Sequence, residues 1–196
     1  MKAVALLSSG IDSPVAIYLM LRKGFEVTPI HFRQSRTKES KVLELCEILG
    51  RYGELDEPVI VDAYEEQGAV FSKLSEIRKA KWTCLFCKYT MLRKACRLAH
   101  EIGAKAIITG DSLGQVASQT LDNLMVISTA SDLPILRPLI GLDKEEIIKI
   151  AKEIGTFEIS IRSEEPCPFV PKYPVIRGSL GEFKRIKERL KREGVL

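Results

Sequence analysis

Residues 8–13 (Ser-Ser-Gly-Ile-Asp-Ser) are the segment of this chain best suited to chemistry on an anion. They follow a short apolar run and precede a segment with helical spacing, so backbone N–H groups, hydroxyls and a helix N-terminus converge there. The segment lacks the lysine of the Gly-Lys-Ser/Thr nucleotide loop and the three glycines of the dinucleotide fingerprint. Phosphate is therefore the expected ligand, and a polar turn that only caps a helix is the alternative.

Five cysteines form the second chemical feature. Cys84 and Cys87 make a Cys-x-x-Cys pair, and Cys167 lies between two prolines. On spacing alone, three interpretations stay open: a zinc site, although zinc takes four ligands and the chain has two histidines; a redox-active dithiol; or an iron–sulfur cluster with three cysteine ligands and one open iron. Cys46 and Cys96 lie among apolar residues in helical segments and are expected in the core.

The elements that must position these groups alternate between strands and helices. The run from Ala3 to Leu7 is wholly apolar, as expected for a strand buried on both faces of a parallel sheet. The predicted strands are 3–7, 27–32, 58–62, 106–109 and 133–137, and the predicted helices are 14–23, 38–49, 88–102, 144–154 and 182–193. This alternation predicts a doubly wound α/β fold with a parallel five-stranded sheet, whose ligand lies at the carboxyl ends of the strands.

Length and composition limit the class of protein. The 196 residues suit one domain, and the content of 45% hydrophobic and 29% charged residues is typical of a globular chain. The apolar run at the N-terminus is too short for a signal peptide or a membrane span, so we expect a cytoplasmic protein without membrane contact. A disulfide framework is not expected in that compartment. The net charge of +4 permits an RNA partner without requiring one.

The segment 8–13 resembles the Ser-Gly-Gly-x-Asp-Ser signature of the PP-loop ATP pyrophosphatases. Ser9 stands where that signature has its first glycine, which costs little if Ser9 keeps an ordinary φ angle. The resemblance implies that the loop binds the pyrophosphate end of ATP and that a substrate oxygen attacks the α-phosphate to give an adenylate. Asp12 matches the family's essential carboxylate, which is expected to help hold a magnesium ion.

Three later stretches narrow the resemblance. Residues 109–120, 136–146 and 154–160 resemble the catalytic domain of the 4-thiouridine synthetases, tRNA sulfurtransferases that are also linked to thiamine thiazole synthesis. The match runs in order from Ala3 to about Pro174. It implies catalytic roles for Asp12, Lys144 and Cys167. It also implies ATP contacts at Leu6, Leu7, Ser8, Ser9, Gly10, Ile11, Asp12, Ser13, His31, Phe32, Lys88, Gly110 and Gln119.

The cysteines match an arrangement of archaeal 4-thiouridine synthetases. There a Cys-x-x-Cys pair and one distant cysteine hold a [4Fe-4S] or [3Fe-4S] cluster, so the resemblance favours a cluster on Cys84, Cys87 and Cys167 over zinc or a dithiol. In bacterial relatives without the pair, the cysteine matching Cys167 works with a persulfide on a rhodanese domain, which we expect this chain to lack. The expected sulfur donor is sulfide or a persulfide carrier.

Recognition of RNA is expected to differ from that of full-length members. They carry an N-terminal region with a THUMP domain, which we expect to be missing because the first strand begins at residue 3. Residues 78–82 (Arg-Lys-Ala-Lys-Trp) and the basic C-terminal helix are candidate RNA contacts, possessing cations and an aromatic ring. Alternatively, the basic face of the helix is only solvated, and the helix packs on the domain through Phe183, Ile186 and Leu190. The expected organisation is a PP-loop domain at 1–178, with 179–196 as its C-terminal helix.

These features predict an ATP-dependent sulfurtransferase. It adenylates a carbonyl oxygen of a uridine-like base, as in tRNA 4-thiouridine synthesis, and replaces that oxygen with sulfur, releasing AMP and pyrophosphate. Two alternatives stay open: a PP-loop ligase acting on a small molecule or another nucleobase, and a non-catalytic protein that binds a nucleotide or a metal. A homodimer, or a partner protein that supplies RNA binding, is compatible with each of them.

Overall fold

The computed structural model of the chain describes residues 1–114 and 119–196. Its five strands are β1 (Lys2–Leu6), β2 (Glu26–Arg33), β3 (Val59–Asp62), β4 (Ala106–Ile108) and β5 (Ile135–Leu136). They form one sheet in the order β3-β2-β1-β4-β5, and every neighbouring pair is parallel. The predicted fold class, a doubly wound α/β fold with a parallel five-stranded sheet, is confirmed.

Helices cover both faces of the sheet. They are α1 (Asp12–Leu21), α2 (Arg36–Leu49), α3 (Ala63–Glu76), α4 (Thr83–Glu101), α5 (Leu121–Ser128), α6 (Lys144–Glu153), α7 (Phe157–Ser160) and α8 (Leu180–Arg192). One apolar cluster joins the sheet to α3, α4, α5 and α8, and a second joins it to α1, α2 and α6. Among the described residues, no helix is both long and apolar enough to cross a membrane.

Strand β1 lies at the centre of the sheet and is buried on both faces. Ala3, Val4 and Ala5 have no exposed surface. Because successive side chains of a strand point to opposite faces, Ala3 and Ala5 belong to one apolar cluster and Val4 to the other. The apolar run at the N-terminus thus fixes the middle of the sheet, from which residues 8–13 emerge.

The strand order creates a crevice next to β1. The chain moves outward from β1 to β2 and β3 and then returns to the other side of β1 with β4. The connections that leave β1 and β4 therefore diverge, which is where ligands bind in open α/β sheets. Gly110 follows β4, and a Cβ atom there would lie 2.7 Å from the nitrogen of Ser13. Glycine is required because the backbones of the two connections touch.

Helix α4 begins earlier than the sequence predicted. It starts at Thr83 rather than near Lys88, so Cys84 and Cys87 lie within its first two turns instead of before it. The residue that precedes the helix, Trp82, is 1% exposed, and the first turn continues the buried apolar face through Phe86. Burial of this face extends the helix backwards through a segment that contains no glycine or proline.

Helices α3 and α5 were not predicted. In α3, buried side chains recur at helical spacing, and Asp62 caps the N-terminus by accepting hydrogen bonds from the N–H groups of Tyr64 and Glu65. In α5, the cap is Thr120, whose hydroxyl accepts from the N–H of Asn123. Both caps are typical helix-start residues, so this signal was present in the sequence.

Helix α8 packs into the core. Its apolar residues are buried as predicted: Phe183, Ile186 and Leu190. Phe183 stacks on Phe86 with ring centroids 4.5 Å apart, and the ring of Trp82 lies 6.3 Å away. The prediction that residues 78–82 offer an aromatic ring for base stacking is wrong, because Trp82 is committed to this apolar cluster.

Candidate functional site

A cavity of about 370 Å³ opens at the carboxyl ends of β1 and β4. It is lined by the segment 8–13 except Ser9, by the first half of α4 and by residues after β4. The segment 8–13 is called here the anion loop. The sequence-predicted residues that line it are Leu6, Leu7, Ser8, Gly10, Ile11, Asp12, Ser13, Cys84, Cys87, Lys88, Gly110, Gln119 and Cys167. The fold therefore gathers the anion loop and all three candidate cluster cysteines around one space.

The anion loop is curled around the hydroxyl of Ser13. The Oγ atom of Ser13 accepts a hydrogen bond from the N–H of Ser8 at 2.8 Å and lies 2.9 Å from the Oγ of Ser8. Asp12 and Ser13 are the first residues of α1, and within the described residues no side chain caps that helix. Its first N–H groups are thus left for an anion, which the helix dipole also favours.

Ser9 departs from the loop signature without straining the backbone. Among the described residues, Arg78 is the one non-glycine with a positive φ angle, so Ser9 keeps an ordinary conformation. The buried hydroxyl of Ser9 hydrogen-bonds the carboxylate of Glu164. Burial opposes ionisation of Glu164, but hydrogen bonds from Lys41 and Ser9 outweigh it, so the pKa of this carboxyl is lowered.

A buried lysine fixes the segment that leads to Cys167. The side chain of Lys41, on α2, is only 4% exposed. Its Nζ donates three hydrogen bonds, to Ser160 O at 3.0 Å, to Arg162 O at 3.0 Å and to Glu164 Oε2 at 2.7 Å. Further along, Nε2 of Gln34 donates to Sγ of Cys167 at 3.4 Å. Helix α2 and Gln34, two residues before its start, therefore set where Cys167 enters the cavity.

The three cavity cysteines influence one another electrostatically. Burial raises the pKa of the Cys84 thiol, and the nearby Cys167 raises it further. Burial raises the pKa of Cys87 to about 12, although a hydrogen bond with Gln67 favours the thiolate and acts in the opposite direction. The thiols of Cys84 and Cys87 are therefore protonated at neutral pH, and a metal centre must displace their protons.

The donor set around the cavity suits a polynuclear cluster better than one ion. Three thiols line it, and no histidine or fourth cysteine does so among the described residues. In the described part of the chain, one group of three metal-ligating atoms all lie within 4.8 Å of one another. That group does not contain Cys84, Cys87 or Cys167. The three sulfurs are thus spread more widely than a single shared ion requires, and a cluster of several irons spans a wider triangle.

A buried carboxylate that sequence reasoning missed organises the cations of the cavity. Asp111 is 5% exposed and accepts hydrogen bonds from Lys88 Nζ at 2.6 Å, Thr109 Oγ1 at 2.9 Å and Arg137 Nε at 3.3 Å. Burial alone would raise its pKa, but the charges of Lys88 and Arg137 and these hydrogen bonds hold the pKa of the carboxyl below its usual value. The sequence signal that could have identified Asp111 was its position immediately after Gly110, at the end of a strand.

Lys144 lies against the anion loop although it belongs to a distant helix. It is the first residue of α6, whose start is fixed by a capping box between Asp143 and Glu146. Its Nζ forms an ion pair with Oδ1 of Asp12. The two residues to which the sequence assigned catalytic roles beside the loop are therefore in direct contact.

His31 and Phe32 lie beside the cavity and do not line it. Nδ1 of His31 donates a hydrogen bond to the carbonyl oxygen of Leu7 at 2.9 Å. Burial lowers the pKa of His31, and its Nε2 has no hydrogen-bond partner among the described residues. Phe32 belongs to an apolar cluster of the core. Contact of these two residues with a nucleotide stays a prediction.

The remaining cavity wall is apolar. Met91, Leu92 and Ile127 contribute to it, and the buried amide of Gln119 presents an Oε1 without a hydrogen-bond partner among the described residues. Such an apolar wall suits a flat ring, and the Gln119 amide suits the polar edge of that ring. Residues 115–118, at the centre of the stretch 109–120 that carried the resemblance, lie outside the described residues.

The parallel sheet with an anion loop at its switch point defines the class, an α/β domain of the PP-loop type. A family model described as "Thiamine biosynthesis protein (ThiI)" matches residues 1–192. The chain belongs to the ThiI family, which confirms the predicted resemblance.

Similar proteins support this assignment. A "Probable tRNA sulfurtransferase" of Thermococcus kodakarensis is 52% identical over 187 residues, covering 94% of this chain and 49% of the relative. The protein of the same description from Methanocaldococcus jannaschii is 47% identical over 190 residues, covering 97% of this chain and 50% of the relative. The chain thus spans about half the length of these curated relatives.

Solved structures give the same picture. A crystal structure of a 4-thiouridine synthetase–RNA complex with bound ATP superposes with a TM-score of 0.89 and 36% identity, covering 99% of this chain and 51% of that one. The NMN synthetase of Francisella tularensis superposes with a TM-score of 0.58 at 18% identity, covering 97% of this chain and 76% of that one. The second likeness concerns the fold alone.

Proposed function

We propose that this chain is the catalytic domain of an ATP-dependent tRNA sulfurtransferase that forms 4-thiouridine. The observation that carries the proposal is the shared cavity, where an anion loop and three cysteines face one another. Residues 1–178 form the PP-loop domain, and residues 179–196 supply its C-terminal helix, whose packing against Trp82 and Phe86 supports one domain.

ATP is the activating substrate. Its pyrophosphate end lies on the anion loop and the N-terminus of α1, and its base lies against the apolar wall near Gln119. Asp12 would hold a magnesium ion, which would supply positive charge beside the departing pyrophosphate. Lys144 pairs with Asp12 and positions that carboxylate. A carbonyl oxygen of the uridine attacks the α-phosphorus, the bond to pyrophosphate breaks, and an adenylated base results.

Sulfur transfer follows in the same cavity. Cys84, Cys87 and Cys167 would hold an iron–sulfur cluster, which would supply one iron without a protein ligand for the binding of sulfide. Sulfide attacks the activated carbon of the base, the carbon–oxygen bond breaks, and AMP departs with the oxygen. Lys41 and Gln34 hold the Cys167 segment against the anion loop, so that the sulfur lies next to the base to be activated.

The macromolecular substrate is tRNA. The similar proteins named as tRNA sulfurtransferases and the RNA-bound 4-thiouridine synthetase support this choice. The exposed cations of α8 are candidate phosphate contacts. The proposal includes a cytoplasmic location, sulfide or a persulfide carrier as sulfur donor, and a homodimer or partner protein that contributes RNA binding.

Anaerobic incubation with tRNA, ATP, magnesium and sulfide tests the proposal. We expect AMP, pyrophosphate and 4-thiouridine, measured by chromatography and by mass spectrometry of nucleosides. Lys144→Met should lower AMP formation on the order of 100-fold, because charge compensation beside the loop is lost. Lys149→Met, a matched change on the exposed face of α6, should leave the rate unchanged.

Each contrary outcome has a separate meaning. Formation of AMP and pyrophosphate without a thionucleoside would support a PP-loop ligase with another acceptor. Binding of ATP without any AMP would support the non-catalytic alternative. Thiolation that consumes no ATP would contradict the proposed activation step.

A further inference from the structure

A second group of metal-ligating side chains lies at the opposite end of α4. Cys96 and His100 are one helical turn apart and face Asp132, in the segment between α5 and β5. Sγ of Cys96 lies 3.0 Å from Oδ1 of Asp132, and Nε2 of His100 lies 2.9 Å from the same oxygen. Among the described residues, this is the group whose three ligand atoms all lie within 4.8 Å of one another.

The chemistry of the three ligands matches zinc. Thiolate, imidazole nitrogen and carboxylate oxygen are the donors that Zn²⁺ takes in proteins, and three protein ligands leave one tetrahedral position for water. The hydroxyl of Ser131 lies 3.4 Å from Sγ of Cys96, an outer contact of the kind that orients a ligating sulfur. Cys96 is buried in an apolar cluster as predicted, and its sulfur also contacts the carboxylate of Asp132 and the hydroxyl of Ser131.

Accessibility of the group differs among its members. The side chains of His100 and Asp132 are 54% and 73% exposed, so an ion reaches the group directly from solvent. Cys87 and Cys96 are nine positions apart on α4, about 13 Å along the helix axis. Cys96, His100 and Asp132 are not part of the cavity lining. The group is therefore separate from the site that holds the anion loop.

We propose that Cys96, His100 and Asp132 form a zinc site with three protein ligands. Binding expels the thiol proton of Cys96 to solvent, and water completes the coordination. The ion joins α4 to the segment that leads into β5, an edge strand of only two residues. Arg137 directly follows that strand and reaches Asp111 in the cavity. Zinc at the far end of α4 thus strengthens the weakest edge of the sheet.

Competition between the protein and a chromophoric zinc chelator tests the site. The cavity cysteines also bind metals, so the titration uses the variant Cys84→Ser/Cys87→Ser/Cys167→Ser in parallel with the unchanged chain. We expect one zinc equivalent in the triple variant and an affinity at least ~10-fold weaker after a further Cys96→Ser or His100→Asn change. Cys46→Ser, on α2, is the matched control and should bind zinc normally.

Folding is controlled separately. His100→Asn alone changes an exposed side chain, so it should fold and bind one zinc equivalent fewer than the unchanged chain. Circular dichroism with EDTA verifies that each variant is folded. A zinc stoichiometry that neither Cys96→Ser nor His100→Asn reduces would overturn the proposal, as would a folded triple variant that binds no zinc.

Discussion

Helix α4 carries cysteines at both ends, and the two ends place sulfur in different surroundings. At the beginning, Cys84 and Cys87 face a cavity together with Cys167, and burial raises their thiol pKa values. Near the end, Cys96 lies beside the exposed carboxylate of Asp132. The chemistry of a cysteine on this helix is therefore set by the distant segment that it contacts.

The carboxylates at the two ends differ in the same way. Asp111 is buried between Lys88 and Arg137, whereas Asp132 is exposed and pairs with His100. A buried carboxylate depends on its cations because it is removed from water, while an exposed pair gains little free energy. Four changes test this contrast, in order of decreasing effect.

Loss of one cavity thiol should have the largest effect. We expect Cys87→Ser to reduce 4-thiouridine formation on the order of 100-fold or more, because the three cysteines act as one unit. Release of AMP should change far less, since the anion loop is intact. Nucleoside mass spectrometry and AMP assays separate the two steps, with Cys46→Ser as control. Unimpaired thiolation by Cys87→Ser would remove the cysteine centre from the proposed reaction.

Asp111→Asn should destabilise the protein by about 3 kcal/mol at pH 7, because Lys88 and Arg137 lose their shared partner. The folded-state pKa of Asp111 is lowered, so its stabilisation is present above the unfolded pKa of about 3.9 and is lost as pH falls through the folded value. Urea unfolding at pH 7 and below pH 4 measures this. If the difference in unfolding free energy between Asp111→Asn and the unchanged chain grew on acidification, the stabilising role of the Asp111 carboxylate would be contradicted.

Lys41→Met should cost about 2 kcal/mol and lower thiolation more than AMP release. The change removes three hydrogen bonds to the segment that carries Cys167, and it alters no residue of the anion loop. Urea unfolding and the two activity assays measure the effects, and Lys23→Met, an exposed lysine beyond α1, is the control. Equal losses in both activities would indicate general damage instead of displacement of Cys167.

Asp132→Asn should have the smallest effect when metal is absent. In EDTA we expect its Tm to stay within about 2 °C of the unchanged chain, because the pair with His100 is exposed. In the Cys84→Ser/Cys87→Ser/Cys167→Ser background, zinc should raise the Tm of the chain that keeps Asp132 and not that of the chain that also carries Asp132→Asn. A large loss in EDTA would show that Asp132 stabilises the fold without an ion.

Much of the architecture was predictable because it depends on local patterns. Buried strands, helix ends at glycine and the anion loop are all properties of consecutive residues. The start of α4 was misplaced because the burial of Trp82, which extends the helix backwards, comes from contact with α8. The cap at Asp62 that marks α3 was readable from the sequence and was overlooked.

By itself, the sequence determined the alternation of strands and helices, the anion loop and the three cysteines that match a known family. The tertiary structure alone decided that Asp111 joins Lys88 to Arg137, that Lys41 holds the Cys167 segment, and that Cys96 meets Asp132. The physical reason is sequence separation. Periodicity and turn chemistry act over a few residues, whereas these contacts form only after the sheet order has brought distant strand ends and helix ends together.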